Sequence, residues 1–251
     1  MEPHIKPNSI PKIHVIQTGR VKANKTMTRG MGWNSLLRQR EDFEWPILVY
    51  IIEHPKGHIA IDTGVNVQGW TIPFWARPVA VRPIIEGEEE EIGPRMKAAG
   101  LDPANVRTVI ITHLDLDHVG GVGWFPNAEI LVHRPEYDFA SKSKFIGKKR
   151  CQPERWPAEF DPTLYDLDPE PYGPFPESKT LEGYEGLRLV PLPGHSIGQV
   201  GVILRTNSIA LFFTGDHTAR QDWFVEDWAA GRLYGSVFVN LWMKRYCELG
   251  A

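Results

Sequence analysis

The chain has 251 residues, 24% of them charged, and its formal net charge is −3. That length suits one substantial α/β domain, and the balanced charge offers neither the basic stripe that nucleic acid attracts nor a polybasic anchor for anionic lipid. No apolar run approaches the ~20 residues of a membrane span, no signal peptide opens the chain, and Cys151 and Cys247 form no CxxC pattern, so zinc knuckles and a disulfide framework are set aside and a cytoplasmic protein is expected.

In chain order, residues 13–18 and 47–52 read as strands, and 59–61 as the return of a hairpin through Pro55-Lys56-Gly57 that ends in Asp62-Thr63-Gly64. Residues 87–99 are acidic at the start and basic at the end, with Gly100 as a stop, which predicts a helix delayed or broken at Gly93-Pro94. Strands follow at 106–111 and 128–133. From 134 to 184 the sequence is rich in Pro, Lys and aromatic residues without a clear period, and reads as an irregular insertion, either a substrate cover or a surface excursion. Order returns with strands at 187–192, 200–205 and 209–213, the last two joined as a hairpin. Hairpins mixed with strand-helix-strand units predict a layered α/β or α+β domain.

The strand at 106–111 delivers Thr112-His113-Leu114-Asp115-Leu116-Asp117-His118-Val119-Gly120-Gly121, with four metal-capable side chains in six residues. A solvated polar turn closing on Gly120-Gly121 is the plainer alternative, but such a turn seldom needs two histidines as well as two aspartates. Two more strand ends carry Pro193-Gly194-His195-Ser196 and Thr214-Gly215-Asp216-His217. Imidazoles and carboxylates in that combination suit zinc or harder divalent ions. Leu114 and Leu116 alternate with the candidate ligands and are expected in the core. Ser196 stands in no Gly-x-Ser-x-Gly elbow, and no Walker or dinucleotide fingerprint occurs. Asp62 reads either as a turn cap or as support behind metal ligands. His4, His14, His54 and His58 read as surface or strand residues, and His133 as a candidate pocket residue. Rings at Trp33 and from Trp70 to Trp75 either floor a pocket or plug the core.

Asp62-Thr63-Gly64, the Thr112 to Gly121 cluster, Pro193-Gly194-His195-Ser196 and Thr214-Gly215-Asp216, in this order, resemble the metallo-β-lactamase superfamily over residues 13–217. The resemblance implies an αββα sandwich, one domain over 1–251, with one or two divalent metal ions at the strand ends, zinc foremost. It implies a metallo-hydrolase; the flanks look closest to the N-acyl homoserine lactonase branch. The implied reaction is attack of metal-bound hydroxide on a small-molecule carbonyl ester, foremost a lactone, with glyoxalase II-like thioester hydrolysis as the alternative. Carried onto this chain, His113, Asp115 and His195 hold the first metal, Asp117 and His118 the second, and Asp216 bridges both. Asp62 orients ligands from behind, and Asp117 and Asp62 are the carboxylates assigned to catalysis.

Two departures bear on this assignment. Where the family reads His-x-His-x-Asp-His, this chain has Asp115 in place of the second histidine. Two divalent ions less Asp115, Asp117, Asp216 and a bridging hydroxide sum to zero, one unit below the histidine version, so the water is expected to be less acidic and manganese or iron to gain on zinc. The family also supplies a last histidine well beyond the bridging aspartate, whereas here no histidine follows His217. The C-terminal strand and helix are therefore expected to be missing or shortened, with Phe238, Leu241, Trp242 and Leu249 on one amphipathic helix and His217 as a candidate substitute ligand. An unpaired sheet edge would then favour a homodimer. A centre weakened in both ways leaves a catalytically impaired metal-binding protein as the rival expectation.

Overall fold

A computed structural model describes residues 11–24, 42–68, 82–143, 146–184, 186–206 and 209–217. The described part of the opening third is mostly sheet, as the strand-like runs predict: β1 (Ile13–Asn24), β2 (Asp42–Ile52), β3 (His58–Ile61) and β4 (Arg82–Ile84). The acid-led segment divides as Gly93-Pro94 suggests, into a 3-10 turn at Glu88–Glu90 and helix α1 (Ile92–Ala98). Pro94 is the third helical residue, where its missing N–H has no partner to lose, and Gly100, at φ +76°, takes the left-handed conformation that stops the helix. Next come β5 (Val106–Ile111), the one-turn α2 (Leu116–Val119) and β6 (Glu129–His133).

The stretch 134–184 departs from the expected irregular insertion. It opens with helices α3 (Arg134–Lys142) and α4 (Ile146–Cys151), then adds β7 (Thr163–Tyr165) parallel to β6 and the short β8 (Lys179–Thr180). Its helices escaped notice because each is short and their apolar positions are too few to set a period. The chain then forms β9 (Leu187–Pro191), β10 (Val200–Arg205) and β11 (Ala210–Phe213).

The strands form a seven-stranded sheet of order β4-β1-β2-β3-β5-β6-β7 and a four-stranded sheet of order β11-β10-β9-β8. The period of two in side-chain direction sorts the core. Ile59, Ile61 and Ile110 pack against Leu187, Leu189, Val202 and Leu204 between the sheets. The alternate residues Val49, Ile51, Ala60, Val109 and Ile111 face Ile92, Met96, Leu101 and Ala140 on the helix side. Each fully buried Val, Leu, Ile or Met among these contributes roughly 1.5–3 kcal/mol of transfer free energy, so both faces of the first sheet are strongly specified. Helix layer, first sheet and second sheet are the layers of the expected sandwich among the described residues. The proposed C-terminal helix, and whatever bears on the β11 edge, lie outside the described residues.

Candidate metal centre

Four strand ends converge. Strands β3 and β5 run parallel in register, Ile61 beside Ile110, so Asp62 and Thr112-His113 emerge side by side. Strands β9 and β11 present His195 and Asp216 from the second sheet, and the Val200 N–H donates to the Thr112 carbonyl at 3.0 Å, tying the two sheets at this point. Leu114 and Leu116 are buried in the core as their alternation predicts.

Two groups of side chains could each hold a metal ion, His113 with Asp115 and His195, and His113 with His118 and Asp216, their ligand atoms all within 4.8 Å of one another. His113 belongs to both; its ring centroid lies 4.0 Å from that of His118 and 4.9 Å from that of His195. Asp115 Oδ2 is 3.1 Å from His195 Nε2 and 3.4 Å from His113 Nε2. Asp216 Oδ1 is 3.3 Å from His118 Nε2, and Asp216 Oδ2 is 3.7 Å from His195 Nε2, which spans the two groups as a bridging carboxylate would. Asp117 stands beside them, its Oδ2 3.9 Å from His118 Nε2, and belongs to neither group. His217 is buried and belongs to neither group among the described residues.

The residues behind the cluster explain its motifs. Asp62 is buried, with φ +60°, a conformation uncommon outside glycine. It accepts from the Thr112 N–H at 2.8 Å and the Thr112 hydroxyl at 2.9 Å, and its Oδ2 lies 2.8 Å from His118 Nδ1. It is thus no simple turn cap: it fixes the His118 ring with Nε2 toward Asp216. Thr63 anchors the same turn, its hydroxyl donating to the His118 carbonyl at 2.7 Å. Gly121 is required by this docking, because a Cβ there would lie 2.2 Å from the Thr63 carbonyl oxygen.

Two residues unnoticed in the sequence complete the support. Glu136, buried in the first turn of α3, accepts from the Leu114 N–H at 3.0 Å, the Ser196 hydroxyl at 2.5 Å and the Gly198 N–H at 3.0 Å. It ties the His113–Asp115 loop to the His195 loop and gives Ser196 its role. Glu136→Ala leaves these three buried donors unpaired, and a loss of about 3 kcal/mol or more is expected in denaturant unfolding. Arg150, in α4, donates through Nε to Asp115 Oδ1 at 2.8 Å and through a terminal nitrogen to Asp115 Oδ2 at 2.5 Å, while its other terminal nitrogen donates to the His195 carbonyl. Neither could be read from the chain, since a lone Glu or Arg in a stretch without period carries no local signal. His133 is structural, with Nδ1 2.8 Å from the Gly198 carbonyl and its ring stacked on Tyr165. Trp33 and the Trp70 to Trp75 stretch lie outside the described residues.

The electrostatics mark the centre as a place for cations. Burial disfavours charge on Asp115, yet Arg150, His113 and His195 hold its carboxyl well below the usual carboxylate range. Burial and the Arg150 charge push the His195 imidazole down to about 4. Burial raises Asp117 to about 6, with Asp216 and Asp115 adding to it against the pull of His118. Burial also opposes charge on His118, but Asp62, Asp216 and Asp117 outweigh it and raise its pKa well above the ordinary value. The residues fit a metal on a further count: His113 Nε2 is fully buried, aims into the cluster and has no hydrogen-bond partner. An orphaned buried nitrogen among carboxylates is what a metal ligand leaves in the absence of its ion.

Comparisons with known proteins bear on the family and the fold. The chain is 37% identical over 134 residues to the N-acyl homoserine lactonase AttM of Azorhizobium caulinodans, a match covering 51% of this chain and 48% of that protein, so it spans about half the length of that relative. It is 27% identical over 207 residues to an N-acyl homoserine lactonase of a Bacillus species, covering 79% of this chain and 72% of the relative. Its fold is shared with a solved N-acyl homoserine lactone hydrolase carrying N-hexanoyl-L-homoserine at its catalytic metal centre, at TM-score 0.70 and 24% identity over 96% of this chain and 89% of that one. It is shared too with AidC, a dizinc quorum-quenching lactonase, at TM-score 0.61 and 17% identity over 99% and 85% of the two chains. Residues 42–242 match the family model of the metallo-beta-lactamase superfamily, and the chain belongs to that superfamily.

Proposed function

We propose that this protein is a metal-dependent hydrolase that opens lactones, with N-acyl homoserine lactones as the substrate class. The observation that carries the reading is His113 at the junction of two His/Asp groups, its buried Nε2 aimed into the cluster and without a hydrogen bond. In this reading His113, Asp115 and His195 would hold one divalent ion, His118 and Asp117 would contribute to a second, and Asp216 would serve both. Zinc is the foremost candidate. Such ions, when bound, supply Lewis acidity toward the ester carbonyl and acidify a water to a pKa near ~7. With an ion bound, Asp62 would hold the remaining His118 proton at Nδ1 and leave the Nε2 lone pair to the centre. A cavity of about 240 Å³, lined by Trp45, Ile47, Tyr50, Phe212 and Phe213, reaches Asp117, His118 and Asp216 and offers an apolar seat for an acyl chain. We place the protein in the cytoplasm, where the buried free thiol of Cys151 stays reduced; no helix among the described residues is long and apolar enough to cross a membrane.

The test is a panel of acyl homoserine lactones of graded chain length beside a thioester, offered to metal-stripped and zinc-loaded protein. The proposal expects ring opening that depends on zinc and rises with acyl length until the cavity is full. Zinc-dependent thioester cleavage with no lactone opened would overturn it.

A further inference from the structure

The side chain at position 115 is the sharpest departure of this centre from the family pattern, and the structure gives it a partner from the stretch 134–184. Arg150 forks onto the Asp115 carboxylate, Nε on Oδ1 and a terminal nitrogen on Oδ2, and that same Oδ2 lies 3.4 Å from His113 Nε2 and 3.1 Å from His195 Nε2. A carboxylate has about four lone-pair positions, and the fork does not use them all. The second arm of Arg150 reaches the His195 carbonyl, so one guanidinium holds two candidate ligands of the same ion.

We propose, on the metal-centre reading above, that Arg150 is a built-in counter-ion that makes Asp115 the equivalent of a neutral histidine ligand. The pair sums to zero charge, as an imidazole does, and the planar fork fixes the carboxylate as a ring would fix its nitrogen. On this proposal the expectation that Asp115 lowers the charge of the centre does not hold, because with Arg150 included the count returns to that of the histidine version. The gain of manganese or iron over zinc loses its electrostatic basis.

Arg150 is a positioning residue in this scheme, and a cycle of four proteins tests it: the natural chain, Arg150→Met, Asp115→His, and the double variant. Two quantities are read, the thermal midpoint of the metal-free protein and zinc affinity by competition with a chromophoric chelator. Each single substitution strands one buried charge and should lower the metal-free midpoint by roughly 5–10 °C. The affinities should move in opposite directions: Arg150→Met removes a cation beside the zinc and binds it at least about tenfold more tightly, whereas Asp115→His leaves the cation unpaired and binds it at least about tenfold more weakly. The double variant should recover most of the midpoint and an affinity near the natural one. Arg150→Lys keeps the charge and loses the fork, so its zinc affinity should fall below the natural value instead of rising as in Arg150→Met, which preserves the test if the methionine variant does not fold. Additive losses in the double variant, or Arg150→Met and Asp115→His shifting affinity in the same direction, would overturn the proposal. If the natural chain takes up no zinc, the metal-centre reading fails, while the metal-free midpoints still decide the pairing of Asp115 with Arg150.

Discussion

Truncating His113 to alanine is expected to empty the centre of metal and to lower kcat/KM for the proposed lactone opening by about 10³-fold or more, equivalent to about 4 kcal/mol of transition-state stabilisation. No other side chain belongs to both candidate groups, so one substitution removes a donor from each. The fold should survive. The His113 ring places Nδ1 3.1 Å from the Thr112 hydroxyl, and that hydroxyl keeps its bond to Asp62 at 2.9 Å. A loss of metal and activity together, with denaturant stability of the metal-free protein lowered by no more than about 2 kcal/mol, is the expected outcome. Retention of metal at the natural level in His113→Ala would show that the two groups are not the site.

Asp62→Asn is the second large effect, and its interest is that almost no volume changes. Asp62 receives three contacts, from the Thr112 N–H, the Thr112 hydroxyl and His118 Nδ1. An amide has one oxygen and one NH₂ group, so it cannot accept from the Thr112 N–H and the His118 Nδ1–H on opposite oxygens at once. If the oxygen keeps the Thr112 N–H, the NH₂ faces His118 and drives its proton to Nε2, the nitrogen that points at Asp216. A protonated Nε2 cannot ligate a metal. The flipped amide keeps His118 but sets NH₂ against the Thr112 N–H, leaving a buried donor unpaired. Metal affinity is expected to fall by about 10–100-fold, the usual cost of losing a support behind a ligand. The check is zinc titration of Asp62→Asn beside Asp62→Ala, in which the alanine variant should lose stability in addition to affinity.

Much of this centre was legible in the chain because its donors are local. His113, Asp115, Asp117 and His118 crowd into one loop after a β-branched strand, and each further motif lies at a strand end bounded by glycine or proline. For Asp62 the sequence alone does not separate cap from support, because the role depends on register: the pairing of Ile61 with Ile110 brings it beside Thr112 and His118. Glu136 and Arg150 were hidden for the same reason on a larger scale. Both come from short helices in a stretch with no hydrophobic period, and both act through contacts that span 22 to 62 residues of chain. A substitution such as Asp115 advertises that something must balance it, but only tertiary structure says that the balance is Arg150.

The strand boundaries tell a similar story. Strand β1 runs six residues past its expected end at residue 18, through a register shift between Gln17 and Arg20 where Gly19 takes φ +102°. A glycine that ends a strand by its propensity can instead mark a bulge within it, and the hydrogen-bond ladder with β2 decides between them.

The measurement that bears most directly on the whole account is metal content per chain, by elemental mass spectrometry on protein purified without chelators, with the intact mass taken from the same sample. The account predicts between one and two divalent ions per chain, zinc foremost, and their loss in His113→Ala. A chain of correct mass that carries no divalent metal, and takes up none from a zinc-supplemented buffer, would contradict it.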